Sequence, residues 1–144
     1  MRRTWLISLP AALLLGIVAL AAQPNAVEKD QKALEGKWNV VSHIKDGQDR
    51  LKELGKTTVT FDGNKISIAH DNGNTEDATF SLDPSKTPKE INVLPGKNET
   101  VLGIYEVKDN DLKICFKDPD SNERPKQFVA DKNSSLVTLK RIGK

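Results

Sequence analysis

From Lys37 onward the chain is a succession of short runs in which apolar and polar residues alternate, each cut off within a few positions by a turn residue. A strand points successive side chains to opposite faces, so a period of two describes a ribbon with one face in a core and one in water. "KWNVVSHIK" ends at Asp46-Gly47, and the runs 57–61 and 65–69 flank Asp62-Gly63-Asn64. A second such turn, Asp71-Asn72-Gly73-Asn74, leads into 75–82, and Lys108-Asp109-Asn110 separates 100–107 from 111–117. Asn, Asp and Gly tolerate the positive φ of tight hairpins, so these stretches read as chain reversals. Residues 90–94, Phe128-Val129 and 136–141 bring the total to eight or nine short strands. Pro84 and Pro88 make 83–88 a loop, because proline donates nothing to a ladder. Helix is confined to a turn at 30–34 and a short piece at 49–54 stopped by Gly55.

Sequential hairpins favour an antiparallel meander, and closing the meander on itself leaves no exposed edge. The expected fold is therefore all-β, an antiparallel up-and-down barrel of about eight short strands. An immunoglobulin-like sandwich needs longer crossovers and commonly a cysteine pair around a core tryptophan, whereas this chain has one cysteine. Alternation assigns Val40, Ile44, Val59, Phe61, Ile66, Ile68, Phe80, Leu82, Ile91, Val93, Leu112, Ile114 and Phe116 to the interior. On the first strand it puts Trp38, Val40, Ser42 and Ile44 on one face and Asn39, Val41, His43 and Lys45 on the other. Residues 101–107 are apolar on both faces. Cys115 falls on the outer face with Lys113 and Lys117, although free cysteines are usually buried, so a covering helix or loop is expected there.

The first residues follow another rule. Arg2 and Arg3 precede an apolar stretch from Trp5 to Leu20 that only Ser8 interrupts, and Ala19-Leu20-Ala21 offers a small-x-small cleavage pattern. Residues 1–21 read as a signal peptide cut after Ala21, with an uncleaved anchor as the competing reading, since the run is near the lower limit for a bilayer span. The expected organisation is a signal at 1–21, a tether at 22–32 and the barrel at 33–144. The product would be exported to the periplasm, cell envelope or exterior, without a stable membrane span after cleavage. Take away Arg2 and Arg3 and the 22 basic residues balance the 20 acidic ones, so no nucleic-acid footprint is expected. One cysteine forms no internal disulfide, so export here brings no disulfide framework.

Beyond this, "LEGKWNVVSHIKDG", with Gly36 and Trp38, resembles the glycine-x-tryptophan first strand of lipocalin-like barrels. "TFDGNKISI", "FSLDPSKTPKEINVLPG", "LGIYEVKDNDLKICF", "RPKQF" and "LVTLKR" follow in order. Together they resemble a lipocalin-like family of small secreted domains from planctomycete bacteria. The resemblance runs over about residues 33–142 and implies a fold, not an activity. In such a barrel the tryptophan plugs the closed end, and a basic side chain from near the C-terminus lies across it. Lys140 and Arg141 are the matching residues. Arg141 is the better choice, because its planar guanidinium stacks on an indole and because it shares a face with Val137 and Leu139.

Chemistry-bearing constellations are sparse. The two histidines, His43 and His70, lie on separate strands, and with one cysteine they do not make a three- or four-ligand zinc set. Cys115 has no partner that the sequence can place for nucleophilic catalysis. "DPDSNERP", 118–125, carries three carboxylates but lacks the sixth-position glycine and twelfth-position glutamate of a calcium loop. No catalytic residue, cofactor or metal is therefore expected. Two functions stay open for a monomeric barrel. One is a carrier of a small apolar ligand, its cavity lined by Val40, Val59, Phe61, Ile66, Ile68, Phe80, Ile91, Val93, Ile114 and Phe116. The other is a protein-interaction or inhibitor module whose barrel is filled, since Phe61, Phe80, Phe116 and Tyr105 suffice to fill a short one.

Overall fold

The computed structural model describes residues 25–96 and 98–143. The expected signal peptide, 1–21, lies outside the described residues. Helix α1 (Ala26–Leu34) is followed by strand β1 (Gly36–Lys45), a two-residue strand β2 (Gln48–Asp49) and a single turn of helix α2 (Leu51–Leu54). Then come β3 (Thr57–Asp62), β4 (Lys65–His70), β5 (Thr75–Asp83), β6 (Glu90–Gly96), β7 (Glu99–Lys108), β8 (Asp111–Lys117) and β9 (Ser134–Gly143). Each strand from β3 to β9 pairs antiparallel with the next, β1 pairs with β3, and β1 also pairs with β9. The result is a closed antiparallel barrel of eight strands, lipocalin-like in architecture, with β2 as a short flap on β1.

The interior is packed. Leu34, Trp38, Val59, Phe61, Ile66, Phe80, Ile91, Tyr105, Leu112 and Leu139 form one buried cluster. The Phe61 and Phe80 rings meet edge-to-face at 5.5 Å between centroids, a geometry that suits the aromatic quadrupole. Val40, Ile68, Leu82, Val93, Ile114 and Val137 pack against this cluster while keeping part of their surface exposed. Gly103 stands where no side chain fits: a Cβ there would lie 2.9 Å from the Cys115 carbonyl oxygen. At Gly36 the φ of 115° is one that L side chains rarely adopt, so glycine is needed where α1 hands over to β1.

Three expectations need correction. First, the expected tether at 22–32 is helical over 26–32, part of α1, which buries Asp30 and Leu34 against the barrel. Asn25 caps this helix, its Oδ1 accepting the Glu28 amide at 2.8 Å. Second, strict alternation fails on β1. A register shift between Val40 and Ser42 makes Val41 an extra residue, so the faces swap beyond it. His43 pairs with Val137, which faces the interior, whereas Ile44 pairs with Leu136 on the outer wall. Ile44 is therefore not an interior residue, and His43 is. Third, Phe128 and Val129 form no strand. They belong to the 118–133 connection, which folds along the outside of the barrel.

That connection explains the two-faced apolar pattern of β7. Ile44, Leu136, Cys115 and Ile104 are successive cross-strand neighbours on the outer wall, and Glu90 continues the row on β6. Cys115 is 0% exposed and Ile104 1%, yet neither belongs to the interior cluster. The 118–133 segment covers them: Cys115 Sγ donates to the Val129 carbonyl at 3.5 Å, and Pro125 and Ala130 of the segment are buried. Arg124 pins its middle. The guanidinium donates to the Ile91 and Gly103 carbonyls at 3.0 and 2.7 Å and to Asn92 Oδ1 at 2.6 Å, and it pairs with Glu90 at 3.3 Å.

Candidate functional site

The two ends of the barrel differ in chemistry. At the closed end α1 lies across the opening and sends Leu34 into the cluster. Trp38 is fully buried, and its indole Nε1 donates to the Leu34 carbonyl at 2.8 Å. Arg141, its cross-strand partner, stacks on the ring with the guanidinium carbon 4.2 Å from the centroid. The same guanidinium donates to the Glu35 carbonyl at 2.7 Å and the Ala33 carbonyl at 2.5 Å. Those are carbonyls at the C-terminus of α1, where a helix leaves acceptors without intrahelical donors and its dipole favours a cation. Asp30, one helical turn before Leu34, accepts from the Tyr105 hydroxyl at 2.7 Å and the Lys89 ammonium at 2.8 Å. Burial, and then the Asp30 carboxylate, hold the Tyr105 phenol well above its usual range. Gly36, Trp38 and Arg141 thus meet in a structural plug, and no polar group named there is left without a partner.

The open end is lined differently. Thr57 and His70 are cross-strand partners above the interior pair Val59 and Ile68, so they face inward, and Glu76, opposite Ile68, does too. Both His70 nitrogens are engaged: Nδ1 lies 3.3 Å from Thr57 Oγ1 and Nε2 3.4 Å from Glu76 Oε2. His43 sits at the same end, but its Nδ1 is buried without a hydrogen-bond partner. Burial first, then the nearby Lys45 and Arg50 cations, hold its imidazole below the ordinary value, with Asp49 and Glu53 opposing. A recess of about 430 Å³ lies between β1 and α2, lined by His43, Lys45, Asp46, Arg50, Glu53 and Leu54. Val40, Ile68, Val93, Ile114 and Val137 are half-buried, and so is Phe116, which pairs with Gly103 and Ser135 outside the main cluster.

Of the ten residues expected to line a cavity, Val59, Phe61, Ile66, Phe80 and Ile91 are buried against one another rather than around a space. Val40, Ile68, Val93, Ile114 and Phe116 keep partial exposure. A larger cleft, about 650 Å³, lies outside the barrel beneath the 118–133 segment, between Lys117, Arg124, Lys126, Val129 and Asp131. Burial raises the Cys115 thiol above its usual range, so this cysteine is held protonated beside that cleft. Among the described residues no group of three or more His, Cys, Asp and Glu could hold a metal ion. No described helix is long and apolar enough to cross a membrane.

Alternation alone missed the mouth. It puts His43 outward because nothing in "NVVSHI" marks which residue bulges, and the run Val40-Val41 is the one signal that an extra apolar residue is present. Comparison with protein-family models, with curated proteins and with solved structures returns no match.

Proposed function

We propose that this chain is an exported, monomeric binding protein, and that it works as a protein-interaction module whose barrel is a filled, rigid support. The observation that carries this reading is the packing of the interior: Leu34 and Trp38 fill it from the closed end, and Phe61, Phe80 and Tyr105 occupy its middle. A cavity able to enclose a ligand needs concave apolar space, and here that space is taken by side chains. One recess of about 550 Å³ lies on the barrel wall between β3 and β6, lined among others by Thr60, Ser67, Thr79 and Leu94, and two further recesses involve connections. The 118–133 segment carries Val129, 54% exposed, at the rim of the 650 Å³ cleft, and β2 with α2 frames the mouth. Residues on connections held by a rigid scaffold are where binding surfaces concentrate. Membership of the planctomycete lipocalin-like family is part of the same proposal and adds export, not a ligand.

A second reading is supported by the partial exposure of Val40, Ile68, Val93, Ile114 and Val137 around the core, apolar surface that a small apolar ligand would cover. Native mass spectrometry of the protein taken from its own cell envelope separates the two. A stoichiometric protein partner, lost on Val129→Asp, is the expected result. A bound small molecule, together with saturable uptake of a fluorescent fatty-acid probe that unlabelled lipid displaces, would replace the interaction module with the carrier.

A further inference from the structure

We infer that residues 48–54 are a gate at the barrel mouth, hinged at Gly47 and Gly55 and loosened by acid through His43. Beyond Asn39 strand β1 pairs with β9 but no longer with β3, and the chain from 46 to 56 joins the two strands where they have parted. Gly47 and Gly55 bound the segment at φ of 75° and 69°, backbone that glycine enters freely and other residues rarely adopt. Between them the segment is bonded chiefly to itself. Arg50 donates to Gln48 Oε1 and Glu53 Oε1, each at 2.7 Å, and the Leu51 amide donates to Asp49 Oδ1 at 2.9 Å. Its ties to the wall are few. Gln48 and Asp49 pair with Lys45 and Ile44, the Arg50 amide donates to the His43 carbonyl at 2.8 Å, and the Leu54 carbonyl accepts from Thr57 Oγ1 at 3.3 Å. None of its residues is buried. A piece with so little apolar burial and so few outward bonds opens well below the cost of global unfolding.

His43 stands where the segment meets the wall, in one recess with Arg50, Glu53 and Leu54. Its Nδ1 is, among the described residues, the one buried side-chain nitrogen or oxygen without a partner. The closed arrangement therefore forfeits a hydrogen bond that water would supply once the segment lifts. The charges around the ring are Lys45 on β1, Asp46 in the turn, Asp49 on β2, and Arg50 and Glu53 on α2; its neighbour on β9 is the apolar Val137. His70 on β4 and Glu76 on β5 face the same mouth but engage each other, and the second His70 nitrogen meets Thr57. With the gate closed, burial first and then Lys45 and Arg50 hold the His43 imidazole below its ordinary value, against Asp49 and Glu53. Opening relieves the burial, the largest of these causes, and returns the ring toward the ordinary 6.5. The open gate thus binds a proton more tightly than the closed one. Closure is at full strength above about pH 6.5 and weakens as pH falls below that value.

Amide hydrogen exchange resolved by NMR, each rate divided by the intrinsic rate at the same pH, reads the gate directly. The Arg50 amide, bonded to the His43 carbonyl, is the reporter. At about pH 5.5 an imidazole of ordinary pKa is protonated about ten times over, so Arg50 should lose about tenfold in protection between about pH 7.5 and about pH 5.5. Amides of the β7–β8 ladder should keep theirs. His43→Leu should abolish the dependence, and His70→Gln should leave it in place. Unchanged Arg50 protection in the parent overturns the inference without recourse to any variant. A parallel loss in β7 and β8 overturns it too, because acid would then be loosening the whole barrel. Dependence that survives His43→Leu, or that disappears with His70→Gln, assigns the titration to another group and overturns it equally.

Discussion

At the closed end Trp38 Nε1, Asp30, Tyr105 and Arg141 each have a partner within 2.8 Å, while at the open end His43 Nδ1 is buried and alone. The interior contrasts in the same sense. Leu34, Trp38, Leu112 and Leu139 are at most 1% exposed, whereas Val40, Ile68 and Ile114 keep partial exposure. One end is thus built to hold the barrel shut and the other retains unsatisfied chemistry. A fold that concentrates its stability at one pole can leave the other pole polar, recessed and accessible, as binding sites require.

The contrast breaks if the closed end proves cheap to damage. Trp38→Ala removes a fully buried aromatic, leaves a cavity against Leu34 and strips Arg141 of its stacking surface, and should cost about 3–5 kcal/mol in urea unfolding. A substitution at the open end, Arg50→Gln, should stay within about 0.5 kcal/mol of the parent. Comparable losses at the two poles would mean that the barrel is not held shut at the tryptophan.

Arg141→Ala comes next, with an expected loss of about 2–3 kcal/mol, because it removes both the cation over the indole and the donors to the α1 carbonyls. The informative measurement is the double mutant with Trp38→Ala. Since the guanidinium rests 4.2 Å from the ring centroid, the two losses should be sub-additive by at least about 0.5 kcal/mol. Strict additivity would mean that Arg141 acts through the α1 carbonyls alone.

The Trp38–Arg141 contact is one that the resemblance to lipocalin-like barrels implies, and the residues add the choice of Arg141, which is in phase with Val137 and Leu139. The eight-strand barrel was legible from the residues, because Asp-Gly and Asn-Gly turns punctuate runs of period two. The mouth was not. A single bulge at Val41 inverts the faces of everything after it on β1, and bulge position depends on the pairing with β9, about a hundred residues away, rather than on local residue preference. Helix α1 was missed beyond its last turn because a nine-residue amphipathic segment is marginal alone and is stabilised by what it covers. Alternation puts Cys115 on the outer wall, where the structure has it, but the cover over it is a segment whose composition reads as solvated loop and whose Val129 carbonyl accepts from the thiol.

Tyr105→Phe sharpens the comparison through pH. The folded-state pKa of Tyr105 is raised above the unfolded value of 10.0, so the folded protein keeps a proton that the unfolded chain releases. Its contribution is therefore fully present below about pH 10 and is lost as pH rises beyond that value. The parent should show a falling alkaline limb in its stability profile, and Tyr105→Phe should flatten that limb while costing about 1–2 kcal/mol at neutral pH for the lost bond to Asp30. An unchanged alkaline limb would place the sensitivity in another group.

The smallest effect on stability concerns the outer wall. Cys115 is buried between the barrel and the 118–133 segment, and burial favours its protonated thiol, which reacts poorly with disulfide reagents. In the native protein its labelling should await either global unfolding or lifting of that segment. Arg124 decides which, because it ties the segment to the Ile91 and Gly103 carbonyls, to Asn92 and to Glu90. Arg124→Ala should therefore raise the labelling rate at least about tenfold, the effect of removing roughly 1.4 kcal/mol or more from a local opening. Global stability should fall less than for any closed-end change, since the interior cluster is untouched. If labelling instead tracks the global unfolding free energy in both proteins, the segment opens only with the barrel, and the outer wall belongs to the same cooperative unit as Trp38.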